Sequence, residues 1–180
     1  MFIIFMGVSG CGKTTIGKLT AQKMNVPFYE GDQCHPLANI EKMSQGIPLT
    51  DHDRDEWLTA LTDLIRTKLN ANESGVLACS ALKESYRKRL QVDDELVCFI
   101  YLKGDYNLIL SRMKARTGHY MPPDLLKSQY EALEEPEDAI IVNIAPPPEE
   151  IVSEVWVSLA KKGIIKNTNA DGLDRRISKN

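Results

Sequence analysis

The chain of 180 residues predicts one α/β domain, a five-stranded parallel sheet with helices on both faces. Three observations lead there. Short apolar runs alternate with stretches of helical period, the order in which crossover helices cover a parallel sheet. The first run leads directly into "GVSGCGKT" (7–14), which satisfies G-x-x-x-x-G-K-[ST] between a predicted strand and a predicted helix. The composition, 43% hydrophobic and 26% charged, is that of an ordinary globular domain.

The elements follow in order. "FIIF" (2–5) reads as a buried strand, and Ile16 and Leu19 mark an amphipathic helix beginning near Lys13. "VPFYE" (26–30), "GVLACSA" (75–81), "ELVCFIYLK" (95–103) and "AIIVNI" (139–144) are the other four strands. The run 54–69 is the clearest helix, with Trp57, Leu58, Leu61, Leu64, Ile65 and Leu69 in period. Asp53 with Glu56 three residues on has the spacing of a capping box. A helix is expected over 105–117, and "MPPD" (121–124) interrupts the pattern before a helix over 124–134. "APPPEE" (145–150) leads into a last helix that carries Ile151, Val155 and Leu159 on its apolar side. Residues 1–166 form the single domain, and 167–180 are a polar, loosely held tail.

Two segments exceed an ordinary crossover. About 32–72, between the second and third strands, reads as an acceptor-binding insertion, and about 112–124 as a basic, hinged lid with Gly118 and Pro122-Pro123. Both lie where a phosphate-binding α/β domain would place an acceptor pocket and a cover.

The loop has a direct physical reading. Gly7, Gly10 and Gly12 let the backbone curl round an anion, so that N–H groups of 7–15 (Ser9, Cys11 and Thr15 among them) point at phosphate oxygens. The helix N-terminus adds partial positive charge. Lys13 would bridge the β- and γ-phosphates of ATP, and the Thr14 hydroxyl would ligate Mg²⁺. The plain alternative is a glycine-rich turn before an ordinary helix.

Other classes are disfavoured. A formal charge of −3 gives no global basic field for nucleic acid or a membrane surface. Cys11, Cys34, Cys79 and Cys98 are scattered without C-x-x-C spacing, so neither a disulfide framework nor a zinc site is expected. No window approaches the roughly 18 apolar residues of a membrane span. The first strand starts almost at once, leaving no room for a signal sequence, so a cytoplasmic protein is expected.

The loop cannot name an acceptor. "GDQCHPLANIEKMSQGIPLTDHDRDEWL" (31–58), "CSALKESYRKRL" (79–90) and "IYLKGDYNLILSRMKARTGHYMPPDLLKSQYEALEEP" (100–136) add what it lacks. With "GVSGCGKTT", these segments resemble the gluconate kinases, in the shikimate-kinase-like branch of P-loop small-molecule kinases. The resemblance runs from about residue 2 to about 162 and is carried most specifically by G-D-x-x-H-P and C-S-A-L-K. It implies a three-layer P-loop kinase fold like that of nucleoside monophosphate kinases, with a helical substrate-binding insertion and a lid. It also implies a homodimer and ATP-dependent phosphorylation of D-gluconate at its 6-hydroxyl, giving 6-phosphogluconate for the pentose phosphate or Entner–Doudoroff routes.

Candidate acceptor residues follow. Asp32, after the second strand, can accept or direct the acceptor hydroxyl's proton and hold Mg²⁺ through water. Its alternative is a helix cap. His35 is either a polyol hydrogen-bond partner or a turn residue. An anionic acceptor needs a cation, and Arg54 fits a carboxylate fork, a role the resemblance also implies. Lys83 and Arg87, at i and i+4, either flank the substrate or join Lys88 and Arg89 on a solvated basic face. Arg112 and Arg116 on the lid would neutralise the triphosphate, as the resemblance implies, or be solvated charge. Gln129 is a candidate for substrate hydroxyls or a surface residue. The third strand ends "LACSA" without a Walker B acid, so the metal would rest on Thr14, phosphates, water and Asp32. A rival is a kinase of another hydroxy acid such as shikimate, though 31–58 offers G-D-x-x-H-P where that pocket would offer D-x-D. Another is a catalytically silent nucleotide-binding regulator.

Overall fold

The computed structural model describes residues 1–115 and 124–165. Its five strands are β1 (Phe2–Met6), β2 (Phe28–Glu30), β3 (Gly75–Ala78), β4 (Val97–Lys103) and β5 (Ile140–Asn143). They form one parallel sheet in the order β2-β3-β1-β4-β5. β1 lies at the centre, with Ile4 opposite Leu77 on one side and Phe99 on the other. The helices are α1 (Lys13–Met24), α2 (Leu37–Ser44), α3 (Asp55–Asn70), α4 (Glu84–Leu90), α5 (Tyr106–Ala115), α6 (Asp124–Ala132) and α7 (Pro148–Lys161).

Strand periodicity divides the core into two layers. Ile3 and Phe5 of β1 join one cluster with Ile16 of α1, Ile109 and Met113 of α5, and Val155 and Leu159 of α7. Phe2, Ile4 and Met6 join the opposite cluster with Trp57, Leu58, Leu61 and Ile65 of α3 and with Tyr86 and Leu90 of α4. β1 is therefore buried on both sides, which explains its unbroken apolar run. Each large apolar side chain of α3 so buried contributes roughly 1.5–3 kcal/mol.

The elements arise where the sequence puts them, within a few residues at each end. One local expectation fails. α3 begins after a 3-10 turn (His52–Arg54) and has no side-chain cap. The Asp53 carboxylate is already taken by Lys42 at 2.6 Å and by the Thr50 N–H and hydroxyl, both at 2.8 Å. These partners hold its pKa well below the usual carboxylate range. The part of the expected lid beyond Ala115, with Gly118 and Pro122-Pro123, and the tail 167–180 lie outside the described residues.

Candidate active site

The site begins where β1 ends. Its neighbours β3 and β4 continue the chain in different directions, the point at which open α/β sheets bind ligands beyond their strand carboxyl ends. Gly12, the residue before α1, has φ +100°, which an L side chain resists, and so delivers the helix N-terminus to the loop. The Lys13 ammonium donates to the carbonyls of Gly7 (3.0 Å) and Val8 (2.9 Å), folding over the loop's own backbone. The Gly7 N–H donates to the Ser80 carbonyl at 3.2 Å, tying the loop to the exit of β3.

A cleft of about 100 Å³ opens here, lined by Ser9, Gly10, Gly12, Lys13, Thr14, Thr15, Glu30 and Asp32. Lys13 and the loop thus share one space with Asp32. Sequence reasoning missed Glu30. The Thr14 hydroxyl donates to its carboxylate at 2.7 Å. A hydroxyl has one proton and two lone pairs, so giving the proton to Glu30 leaves oxygen lone pairs for a cation. Partial burial raises the Glu30 pKa, against the lowering effect of the Thr14 bond. The signal was present in the sequence as "EGD" (30–32), two carboxylates two residues apart at a strand end.

Gly31 is what places that pair. A β-carbon there would lie 2.5 Å from the Ala78 carbonyl, so only glycine lets the chain pass β3 this closely. The Trp57 indole donates to the Gly31 carbonyl at 2.7 Å, and the His35 ring stacks on Trp57 with centroids 4.4 Å apart. The 3-10 turn Gly31–Cys34 that carries Asp32 is thereby fastened to α3. Burial lowers the His35 pKa to about 4, so the ring is neutral at pH 7. Asn39 donates to the Asp53 carbonyl at 2.6 Å and faces His35 Nδ1 at 3.4 Å with the same amide nitrogen. Nδ1 therefore accepts, and the proton sits on Nε2.

The insertion brings cations beside α4. Arg54 donates to the carbonyls of Leu49 (2.5 Å) and Thr50 (3.3 Å), and its guanidinium carbon lies 5.8 Å from the Tyr86 ring centroid. Lys83 reaches across to both oxygens of Asp51, at 2.7 and 2.8 Å, and the Tyr86 hydroxyl donates to the same carboxylate. The insertion is thus joined to the start of α4.

Three candidate residues make contacts that the sequence did not announce. Arg87 does not share a face with Lys83. It is buried and donates to the carbonyls of Ala81 (3.2 Å) and Leu82 (3.0 Å). It borders a separate cleft of about 580 Å³ with Glu84, Glu134 and Asp138, to which no phosphate-loop residue contributes. Lys83 caps α4 with extended backbone (φ −91°, ψ 148°), and its side chain turns to Asp51 although its carbonyl accepts the Arg87 N–H at 3.2 Å. Gln129 braces the phosphate loop. Its side-chain oxygen accepts the Ser9 N–H at 2.6 Å, and its nitrogen donates to the Ser9 hydroxyl at 3.3 Å. Arg112 belongs to α5 and donates to the Ile144 carbonyl at 2.9 Å, bracing the loop after β5. Arg116 lies outside the described residues.

A parallel sheet of this order, a Lys-Thr phosphate loop at its centre and carboxylates facing that loop define a P-loop kinase of small molecules. The shikimate kinase family model matches residues 9–159. The thermosensitive gluconokinase of Escherichia coli (strain K12) is 52% identical over 134 residues, 74% of this chain and 72% of that one. The thermoresistant gluconokinase of the same strain is 42% identical over 164 residues, covering 89% and 93%. A crystal structure of a gluconokinase from Sinorhizobium meliloti 1021 superposes with TM-score 0.81 at 44% identity, covering 89% of this chain and 91% of that one. The chain belongs to the gluconokinase family, in the shikimate-kinase-like branch.

Proposed function

We propose that the protein transfers the γ-phosphoryl group of ATP to the 6-hydroxyl of D-gluconate, giving 6-phospho-D-gluconate and ADP. The observation that carries this reading is the single cleft in which Lys13, Thr14, Glu30 and Asp32 meet. The relatives' names supply the acceptor. Asp32, exposed in the cleft, would direct the 6-hydroxyl and take its proton as the oxygen attacks the γ-phosphorus. The bond from that phosphorus to the β,γ-bridging oxygen breaks, and ADP leaves. Lys13 and the loop N–H groups offset the charge on the phosphates, so transfer is positional and electrostatic. Arg54 and Lys83 would meet the gluconate carboxylate, and His35 Nε2–H a polyol hydroxyl. Arg116 remains the proposed lid cation.

The donor set fits Mg²⁺. Thr14, Glu30 and Asp32 offer only oxygen, and among the described residues no cluster of three or more His, Cys, Asp or Glu side chains could hold a metal ion by itself. Such a site suits a cation that keeps water and phosphate ligands. When bound, Mg²⁺ would neutralise the β- and γ-oxygens.

A homodimer is carried over from the family resemblance, and a cytoplasmic location from the reading of the sequence. No described helix is long and apolar enough to cross a membrane. A coupled ADP-release assay with Mg-ATP and a panel of hydroxy acids including shikimate tests the reading. Turnover with gluconate above all others supports it, and none with gluconate refutes it. No turnover with any acid would favour a silent nucleotide-binding protein.

A further inference from the structure

The 50–54 turn carries two carboxylates with different tasks. Asp53 points inward and is bonded by Lys42 and Thr50, which makes the turn rigid. Asp51 reaches to the start of α4 and binds groups there, both oxygens to Lys83 and one to Tyr86. Lys83 caps α4 and Tyr86 stands in its first turn, whereas Asp51 and Arg54 stand on the insertion. Tyr86 is the meeting point, since Arg54 lies 5.8 Å and the Lys83 ammonium 5.7 Å from its ring centroid.

We propose that Asp51 is a positioning residue of the acceptor site, holding the Lys83 ammonium and the Tyr86 hydroxyl beside Arg54 so that these groups receive the acceptor's carboxylate together. The inference rests on the reading of the protein as a kinase of an anionic polyol. An unheld lysine ammonium spreads over many rotamers, and binding an anion must then order it. Asp51 supplies that order beforehand. Its carboxylate uses two of the ammonium's three donors, leaving one for the ligand. Two cations and one anion also leave a single net positive charge, the match for one carboxylate. The Asp51 side chain is 64% exposed and lies outside the core clusters, so its replacement by Asn leaves packing intact.

Steady-state kinetics of Asp51→Asn, Lys83→Met and the double variant test this. Asp51→Asn is expected to raise the KM for gluconate about five- to tenfold and to leave the KM for ATP within about twofold. The double variant is expected to stay within about twofold of Lys83→Met alone, because the charge Asp51 holds is that of Lys83 and only the Tyr86 bond is lost besides. Asp51→Glu should recover part of the loss. An unchanged gluconate KM in Asp51→Asn overturns the proposal. So do losses that multiply in the double variant, or a parallel rise in the KM for ATP. Wild-type turnover of gluconate is the separate arm that tests the functional reading itself.

Discussion

The indole N–H of Trp57, inside α3, donates to the carbonyl of Gly31 at 2.7 Å, and this bond sets where Asp32 stands. Trp57 is 1% exposed, so the acceptor it serves is shielded from water. Trp57→Phe keeps most of the apolar volume but leaves that carbonyl without its donor, at a cost of about 1–3 kcal/mol. Denaturant titration should show that loss. Turnover should fall further than ATP affinity does, because the displaced turn carries Asp32 and not the phosphate loop. Equal loss of both would contradict the assignment.

His35 makes stability depend on pH. Burial lowers its pKa from 6.5 to about 4, so the unfolded chain binds a proton that the folded chain refuses. Its stabilising contribution is complete above pH 6.5 and is lost as pH falls towards 4. The ring is not fully buried, so solvent screening reduces the effect. His35→Phe preserves the stack on Trp57 and removes the titration. The wild-type melting temperature should fall more steeply between pH 6.5 and 4.5 than that of the variant, and matching slopes would refute this account.

Glu30 is the acid proposed to stand in for the one that β3 lacks. Glu30→Gln keeps the size but withdraws the charge that orients the Thr14 hydroxyl. The Mg²⁺ concentration for half-maximal rate should rise about tenfold or more. Nucleotide binding measured without magnesium should be unchanged. A metal titration in the ADP-release assay checks both.

Arg54 and lysine are not equivalent at a forked contact. Arg54→Lys retains the charge but loses the bond geometry to Leu49 and Thr50 and the planar fork for a carboxylate. The KM for gluconate should rise about tenfold, with that for ATP unaffected. A variant with wild-type gluconate KM would remove Arg54 from the acceptor site.

The architecture was legible because its signals are local: apolar runs, a loop of fixed spacing, and a helix periodic from Trp57 to Ile65. The phosphate loop needs only neighbours in sequence. Contacts between distant segments were not legible, and most of the acceptor side consists of them. Lys83 meets Asp51 across 32 residues, and no spacing rule announces that. Nor was the path of Arg87 legible: Lys83, capping α4, turns to Asp51, whereas Arg87 turns inward to the Ala81 and Leu82 carbonyls. Glu30 was overlooked for another reason. The acid was sought at the end of β3, whereas β2 supplies it beside Ala78 of that strand.

Asp32 is proposed to serve the acceptor hydroxyl in a cleft where Lys13 and the loop N–H groups hold the nucleotide. Comparing gluconate-dependent ADP release by the wild type and Asp32→Asn, together with ATP affinity, tests this most directly. The variant should lose about 10²–10⁴-fold in kcat while binding ATP as the wild type does. An Asp32→Asn enzyme that keeps its rate within a factor of about ten would contradict the assignment of Asp32 as the group that takes the proton.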